Sequence, residues 1–146
     1  MNILNIENLR KNFASGDENL EILKDLSFVL PEQRTLIITG ESGSGKSTLL
    51  NCIAGLEPVS SGKILCSGWK VTELSEHWLS EYRKQTIGFI FQFHYLLEDF
   101  TALENVMLPA YMAGEKKKSA QDRARSLLSE VNLAKRGHHY PSELSG

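Results

Sequence analysis

The sequence predicts an α/β protein arranged around a phosphate-binding loop, and three observations carry that expectation. Residues Gly40-Glu41-Ser42-Gly43-Ser44-Gly45-Lys46-Ser47 fit the pattern of a glycine, any four residues, then Gly-Lys-Ser. Residues 35–39 before it (Thr-Leu-Ile-Ile-Thr) read as a short buried strand. Leu49, Leu50, Ile53, Ala54 and Leu56 after it recur at helical spacing. Glycines at 40, 43 and 45 let the backbone bend tightly and turn successive N–H groups toward a phosphate chain. The helix that follows aims its positive end at the same anion. Lys46 is placed to reach the outer phosphates and the Ser47 hydroxyl to ligate Mg2+. A glycine-rich connection between a strand and a helix would need no lysine, so a nucleoside triphosphate is the expected ligand.

The other elements follow in order. Ile3, Leu4, Ile6 and Leu9 alternate as a strand into a polar turn at Ser15-Gly16-Asp17, and Ile22, Leu23, Leu26, Phe28 and Leu30 form a second strand stopped by Pro31. Residues 58–62 read as a turn, and residues 63–66 and 69–71 as a short hairpin around Ser67-Gly68. A helix is expected over 75–84 and a buried strand over Ile87-Gly88-Phe89-Ile90-Phe91. Thr101 with Glu104 is a capping pair that opens a helix to about Met112, which Pro109 is expected to kink or end. Ser119 with Asp122 opens another, with Ala120, Ala124, Leu127, Leu128 and Val131 on one face.

The bulk numbers exclude several classes. The 146 residues have room for one ordinary domain or part of a larger one, and 41% hydrophobic with 23% charged residues argues against pervasive disorder. A formal net charge of -2 argues against nucleic acid as a partner. Lys116-Lys117-Lys118 is read as a solvated loop between helices. Cys52 and Cys66 have no metal-type spacing and read as small core residues in a reducing compartment. No apolar run reaches membrane-spanning length, so any membrane contact is expected through a partner. Trp69 and Trp78 are assigned to packing, and His77 sits in a polar helix with no partner in view.

Several separated motifs then point the same way. Phe13 in Leu9-Arg10-Lys11-Asn12-Phe13, Gln92 after Gly88-Phe89-Ile90-Phe91, and Leu144-Ser145-Gly146 flank the loop at the spacing of one family. Along essentially its whole length the chain resembles the ATP-binding subunits of ABC transporters. The resemblance implies a P-loop NTPase fold with ATP and Mg2+ as cofactors. It implies a mainly β subdomain at 1–32 and 62–72, a P-loop core at 33–61 and 73–92, and a helical subdomain at 93–146. By it, Phe13 stacks on adenine, whereas from the residues alone Phe13 reads rather as a core residue closing the first strand. Gly40, Glu41, Ser42, Gly43, Ser44, Gly45, Lys46, Ser47 and Thr48 hold the nucleotide, with Lys46 also catalytic. Ser47 and Gln92 ligate Mg2+, and Gln92 also touches the attacking water; a carboxamide suits this because it can ligate through oxygen and donate through nitrogen. Ser145 and Gly146 begin the signature that binds the γ-phosphate held by a second copy, in an ATP-sandwich dimer.

Residues 88–106 and 141–146 look most like the branch of the family that drives lipoprotein release from the bacterial inner membrane. Glu98 stands where that branch has proline. Macrolide-type exporters and a cell-division ATPase share much of the pattern. The resemblance implies two different integral-membrane permease subunits contacting residues near 93–105, and a peripheral place on the cytoplasmic face of the inner membrane. His94 is read as part of that contacting loop rather than as a base, and His138 and His139 do not match the family's switch histidine.

No run of four apolar residues followed by two acids occurs within 93–146, so no carboxylate qualifies as the catalytic base. The chain is therefore expected to be the amino-terminal portion of such an ATPase, with negligible hydrolysis by itself. It is also expected to leave a gap in the central sheet, because the family places two further strands between 35–39 and 87–91. A nucleotide-binding module without catalysis is the alternative; a P-loop kinase leaves Gln92 and Leu144-Ser145-Gly146 unexplained.

Overall fold

Two long antiparallel strands begin the fold: β1 (Asn2–Ser15) and β2 (Glu18–Pro31) pair from Asn2↔Pro31 to Ser15↔Glu18. The computed structural model describes residues 1–16 and 18–144, so Asp17 of the expected turn lies outside it. β3 (Ser61–Cys66) pairs with β1, and β4 (Trp69–Lys70) closes a sheet of order β2-β1-β3-β4. The β3–β4 hairpin turns on Ser67 (φ 48) and Gly68 (φ 84). Positive φ at both central residues is what a two-residue loop needs to match the twist of its strands.

An irregularity in β1 decides which face its second half presents. Leu4 and Ile6 point into the core, as a period of two requires, and strict alternation would send Leu9 and Lys11 to the other side. Instead the pairing with β2 shifts between Ile6 and Leu9, Asn8 takes φ 48, and Leu9 and Lys11 are buried along with Leu4 and Ile6. β2 answers with Asp25 at φ 53, and the Asn8 amide donates to the Asp25 carboxylate at 3.1 Å. Asparagine and aspartate tolerate left-handed backbone better than other non-glycine residues. One extra residue thus restores the phase that puts Leu9 and Lys11 on the buried side.

Against this face pack α1 (Lys46–Ile53) and α2 (Glu76–Thr86). The core joins Leu4, Ile6, Leu9, Leu23 and Ile64 of the sheet to Leu49 and Cys52 of α1 and Tyr82 of α2. Both cysteines are buried and free, as core residues should be. Two hydrogen bonds tie α2 to the end of α1: Tyr82 Oη donates to the Ile53 carbonyl at 2.8 Å, and the Arg83 guanidinium to the Gly55 carbonyl at 2.7 Å. Trp69 stands 6.1 Å from the Tyr82 ring and 6.4 Å from Trp78.

The chain divides into two compact units, residues 1–89 and 90–146. The second is built on α3 (Ala102–Met112) and α4 (Lys117–Glu130), which pack through Ala102, Ala120, Ala124 and Leu128. α3 opens on the expected capping box between Thr101 and Glu104. Its next two N–H groups, of Ala102 and Leu103, donate to the carbonyls of His139 and Gly137 at 2.8 and 2.9 Å. Donors that a helix start leaves unpaired are thereby satisfied from residues 137–139.

Three expectations need correction. Residues 35–39 and 87–91 form no strand, and Ile37 and Ile90 are 79% and 97% exposed. A strand exists only as a paired ladder, and neither stretch is one of the strands of the sheet β2-β1-β3-β4. α4 starts at Lys117 with Lys116 as its cap, so the three lysines are cap and first turn rather than a loop, and the Ser119 hydroxyl points back to Glu115 at 3.4 Å. On its apolar face Leu127 and Val131 stay largely exposed. α3, by contrast, ends at Met112 as expected, three residues beyond Pro109, whose own carbonyl accepts from Ala113 at 3.0 Å.

Candidate functional site

The loop before α1 is shaped by its glycines. Gly40, Gly43 and Gly45 have φ of 153, 79 and 89, in the region that side chains with a Cβ avoid. A Cβ on Gly40 would sit 2.7 Å from Ser44 Oγ, inside the loop itself. Gly45 is buried against β2, where a Cβ would lie 2.9 Å from Ile22 Cγ2 and 3.2 Å from Leu23 Cδ2.

Gly45 caps α1 without any side-chain hydrogen bond, and the first intrahelical bond runs from Leu49 N–H to the Gly45 carbonyl at 2.8 Å. The N–H groups of Lys46, Ser47 and Thr48 precede that bond at the positive end of the helix. Lys46 Nζ folds back over the loop and donates to the carbonyls of Gly40 at 2.9 Å and Glu41 at 2.5 Å, with Ser44 Oγ at 3.3 Å. A single ammonium is therefore held by oxygen acceptors close in sequence to the leading amides of α1. Phosphate oxygens are stronger acceptors than those carbonyls, so the donor set fits a polyphosphate. Glu41, Ser42 and Ser44 are exposed, as is Ser47 beside Lys46, while Thr48 is half-buried. Among the described residues no group of three or more His, Cys, Asp or Glu could hold a metal ion.

Phe13 lies near the end of β1 and is 38% exposed. Two residues before it, Lys11 is 7% exposed, pairs in register with Leu23, and so stands across from the residue on which Gly45 packs. Lys11 Nζ donates to the Pro58 carbonyl at 2.7 Å, pairs with the Glu57 carboxylate at 2.5 Å, and lies 4.5 Å from the centre of the Phe13 ring. Neither Lys11 nor Glu57 stands out in the sequence. The signal for Lys11 is its position two residues from an aromatic on the same strand.

Gln92 is exposed and belongs to the second unit, in a stretch of irregular backbone. Ser145 and Gly146 lie outside the described residues. In the second unit a cavity of 1110 Å³ opens between the 94–99 segment and residues 133–144, lined by His94, Tyr95, Leu96, Arg136, Pro141 and Glu143 among others. Every residue from 91 to 100 is exposed, among them Phe93 and Tyr95.

A glycine-bent loop running into a helix with free leading amides and a lysine at its first position marks the P-loop nucleotide-binding class. The ABC transporter family profile matches residues 23–146, and the chain belongs to that family. It is 54% identical over 144 residues to the lipoprotein-releasing system ATP-binding protein LolD of Treponema denticola, 49% to that of Treponema pallidum and 44% to that of Geobacter metallireducens. Each alignment covers 99% of this chain and 64% of the relative, so the chain spans under two thirds of those proteins' length. Among solved structures it is similar to a dimeric ATP-binding cassette in a post-hydrolysis state bound to ADP and Pi, with a TM-score of 0.90, 32% identity, and coverage of 97% of this chain and 63% of that one. A dimeric bacterial ABC transporter cassette matches at a TM-score of 0.84 and 31% identity, covering 98% and 63%. Among the described residues no helix is long and apolar enough to cross a membrane.

Proposed function

We propose that the chain is the nucleotide-binding portion of an ABC transporter ATPase that couples ATP binding and hydrolysis to the release of lipoproteins from the inner membrane. The observation that carries this reading is the glycine-bent loop, with Lys46 at its mouth, in a chain 54% identical to a LolD protein. Lys46 exchanges its loop carbonyls for the outer phosphates, and the leading amides of α1 take the inner ones. Bound Mg2+ supplies positive charge to the phosphates, and Ser47 offers it a hydroxyl ligand. Phe13 stacks on the base. Gln92 would offer its carboxamide to Mg2+ and the attacking water, and Ser145 and Gly146 would serve the nucleotide of a second copy across a dimer. The segment near 93–105, with Phe93 and Tyr95 exposed, and the cavity beside His94 would receive integral-membrane subunits, which would hold the chain at the cytoplasmic face of the membrane.

Two measurements test this. Lys46→Ala should weaken Mg-ATP binding by at least tenfold with unchanged circular dichroism, and unchanged affinity would overturn the nucleotide site. Reconstituted with its membrane subunits, the full-length protein should release lipoproteins in an ATP-dependent manner. ATP turnover without lipoprotein release would turn the assignment toward the related exporters.

A further inference from the structure

We propose that Lys11 is a positioning residue for the Phe13 ring, and that its fixed ammonium strengthens stacking of that ring on an electron-rich base such as a purine. The inference rests on reading Phe13 as the base platform and adds to it what sets the ring's place and polarity.

Lys11 is a buried cation whose position is fixed from three directions. The Pro58 carbonyl and the Glu57 carboxylate bind its ammonium from the segment after α1, and the Phe13 ring covers it at 4.5 Å. A cation within about 6 Å of a ring centre is attracted to the negative face of its π system. The Phe13 ring is thereby held against its own strand while 38% of the residue remains exposed, leaving ring surface for a ligand. The ammonium also draws π density toward its side. The opposite face becomes less negative, which lowers its repulsion with another electron-rich ring.

The placement suits the loop as well. Lys11 pairs with Leu23, and Leu23 and Ile22 are the residues against which Gly45 packs. One strand position thus links the end of the phosphate loop to the ring, and two residues of strand put Phe13 about 7 Å farther along. The bulge at Asn8 is what turns Lys11 to this side.

A purely structural clamp would predict something else: loss of Lys11 would loosen the whole site and weaken every ligand alike. Affinities for Mg-ATP and for Mg-tripolyphosphate, which has no base, separate the two. Phe13→Ala should weaken ATP several-fold and leave tripolyphosphate unchanged; if ATP is unaffected, the platform reading of Phe13 fails. Given that platform, Lys11→Met should weaken ATP about three- to tenfold without changing tripolyphosphate, and Lys11→Arg should restore most of the loss. Equal effects of Lys11→Met on both ligands, or no effect on either, would overturn the proposal while leaving the phosphate loop intact. Should Lys11→Met unfold the chain because Glu57 is left uncompensated, the pair Lys11→Met with Glu57→Gln carries the same comparison. Failure of the unsubstituted protein to bind either ligand would instead sink the nucleotide site.

Discussion

Gly62 of β3 lies flat against Asn8 of β1: a Cβ on Gly62 would fall 2.5 Å from the Asn8 carbonyl oxygen and 2.6 Å from the Leu9 Cα. Gly62 also has φ 94, so both space and conformation demand glycine. The contact braces the bulge that turns Leu9 and Lys11 toward the core.

Gly62→Ala should therefore destabilise the chain by about 3–5 kcal/mol, because the clash is with backbone that cannot step aside. Gly68→Ala is the comparison, since Gly68 has φ 84 but open space around it. It should cost only about 1–2 kcal/mol of conformational strain. Urea unfolding of both variants checks this, and equal losses would mean that the close approach to Asn8 carries no weight.

Tyr82 is fully buried, and its hydroxyl donates to the Ile53 carbonyl at 2.8 Å. Tyr82→Phe leaves that carbonyl without its partner and should cost about 1–2 kcal/mol. Burial, followed by hydrogen bonding with Cys66, pushes the phenol well above its ordinary value of 10.0. A raised folded pKa means the stabilisation is complete below the unfolded value and is lost as pH rises from there toward the folded one. Stability above about pH 10 should thus fall less steeply in Tyr82→Phe than in the parent, as measured by denaturation across alkaline pH.

Cys52 is 1% exposed, and burial pushes its thiol up to about 11, with the Lys11 ammonium acting in the opposite direction and Glu57 adding to the rise. The thiolate is the reactive form, so Cys52 should resist a disulfide-exchange reagent in the folded chain and react on unfolding. Lys11→Met removes the lowering influence of that ammonium and should delay the onset of thiolate absorbance to higher pH. Rapid labelling of native Cys52 at neutral pH would contradict both its burial and its shifted acidity.

In the capping box of α3, Thr101 Oγ1 and Thr101 N–H donate to Glu104 Oε2 at 2.7 and 2.9 Å, and Glu104 N–H donates to Thr101 Oγ1 at 3.3 Å. The hydroxyl first, then the backbone N–H, hold the Glu104 carboxyl below its ordinary value of 4.5. A lowered folded pKa means the contribution is present above the unfolded value and is lost as pH falls through the folded one. Thr101→Val should move the carboxyl titration, followed by NMR, back upward. It should also speed amide exchange in the first turn of α3.

Local chemistry was the legible part of this chain. Thr101 and Glu104 are three residues apart and need nothing else to form a cap, and the Ser67-Gly68 turn follows from two residues that accept positive φ. The glycines and Lys46 of the phosphate loop are likewise a local pattern. What alternation alone missed was a change of phase: a strict period from Leu4 and Ile6 cannot put Leu9 and Lys11 on the same face, and only the paired register reveals the bulge at Asn8. The Lys11–Glu57 pair joins residues far apart in sequence and leaves no periodic trace. Residues 35–39 and 87–91 have the composition of strands, but strand formation depends on a neighbour that composition does not contain.

The exposure of two isoleucines in these segments has a measurable consequence. Ile37, 79% exposed, and Ile90, 97% exposed, lie in two apolar segments that sit in irregular backbone rather than within a sheet. Exposed runs with high β propensity recruit other chains through hydrogen bonding and apolar contact. The chain by itself should bind a hydrophobic dye and self-associate with rising concentration. Ile90→Lys should raise its soluble fraction while leaving the thermal midpoint within a few degrees, because a side chain so exposed contributes little to packing. Leu49→Lys, by contrast, places a charge at a 5% exposed core position and should abolish the cooperative transition. If Ile90→Lys left association unchanged while Ile37→Lys suppressed it, the adhesive surface would belong to residues 35–39 alone.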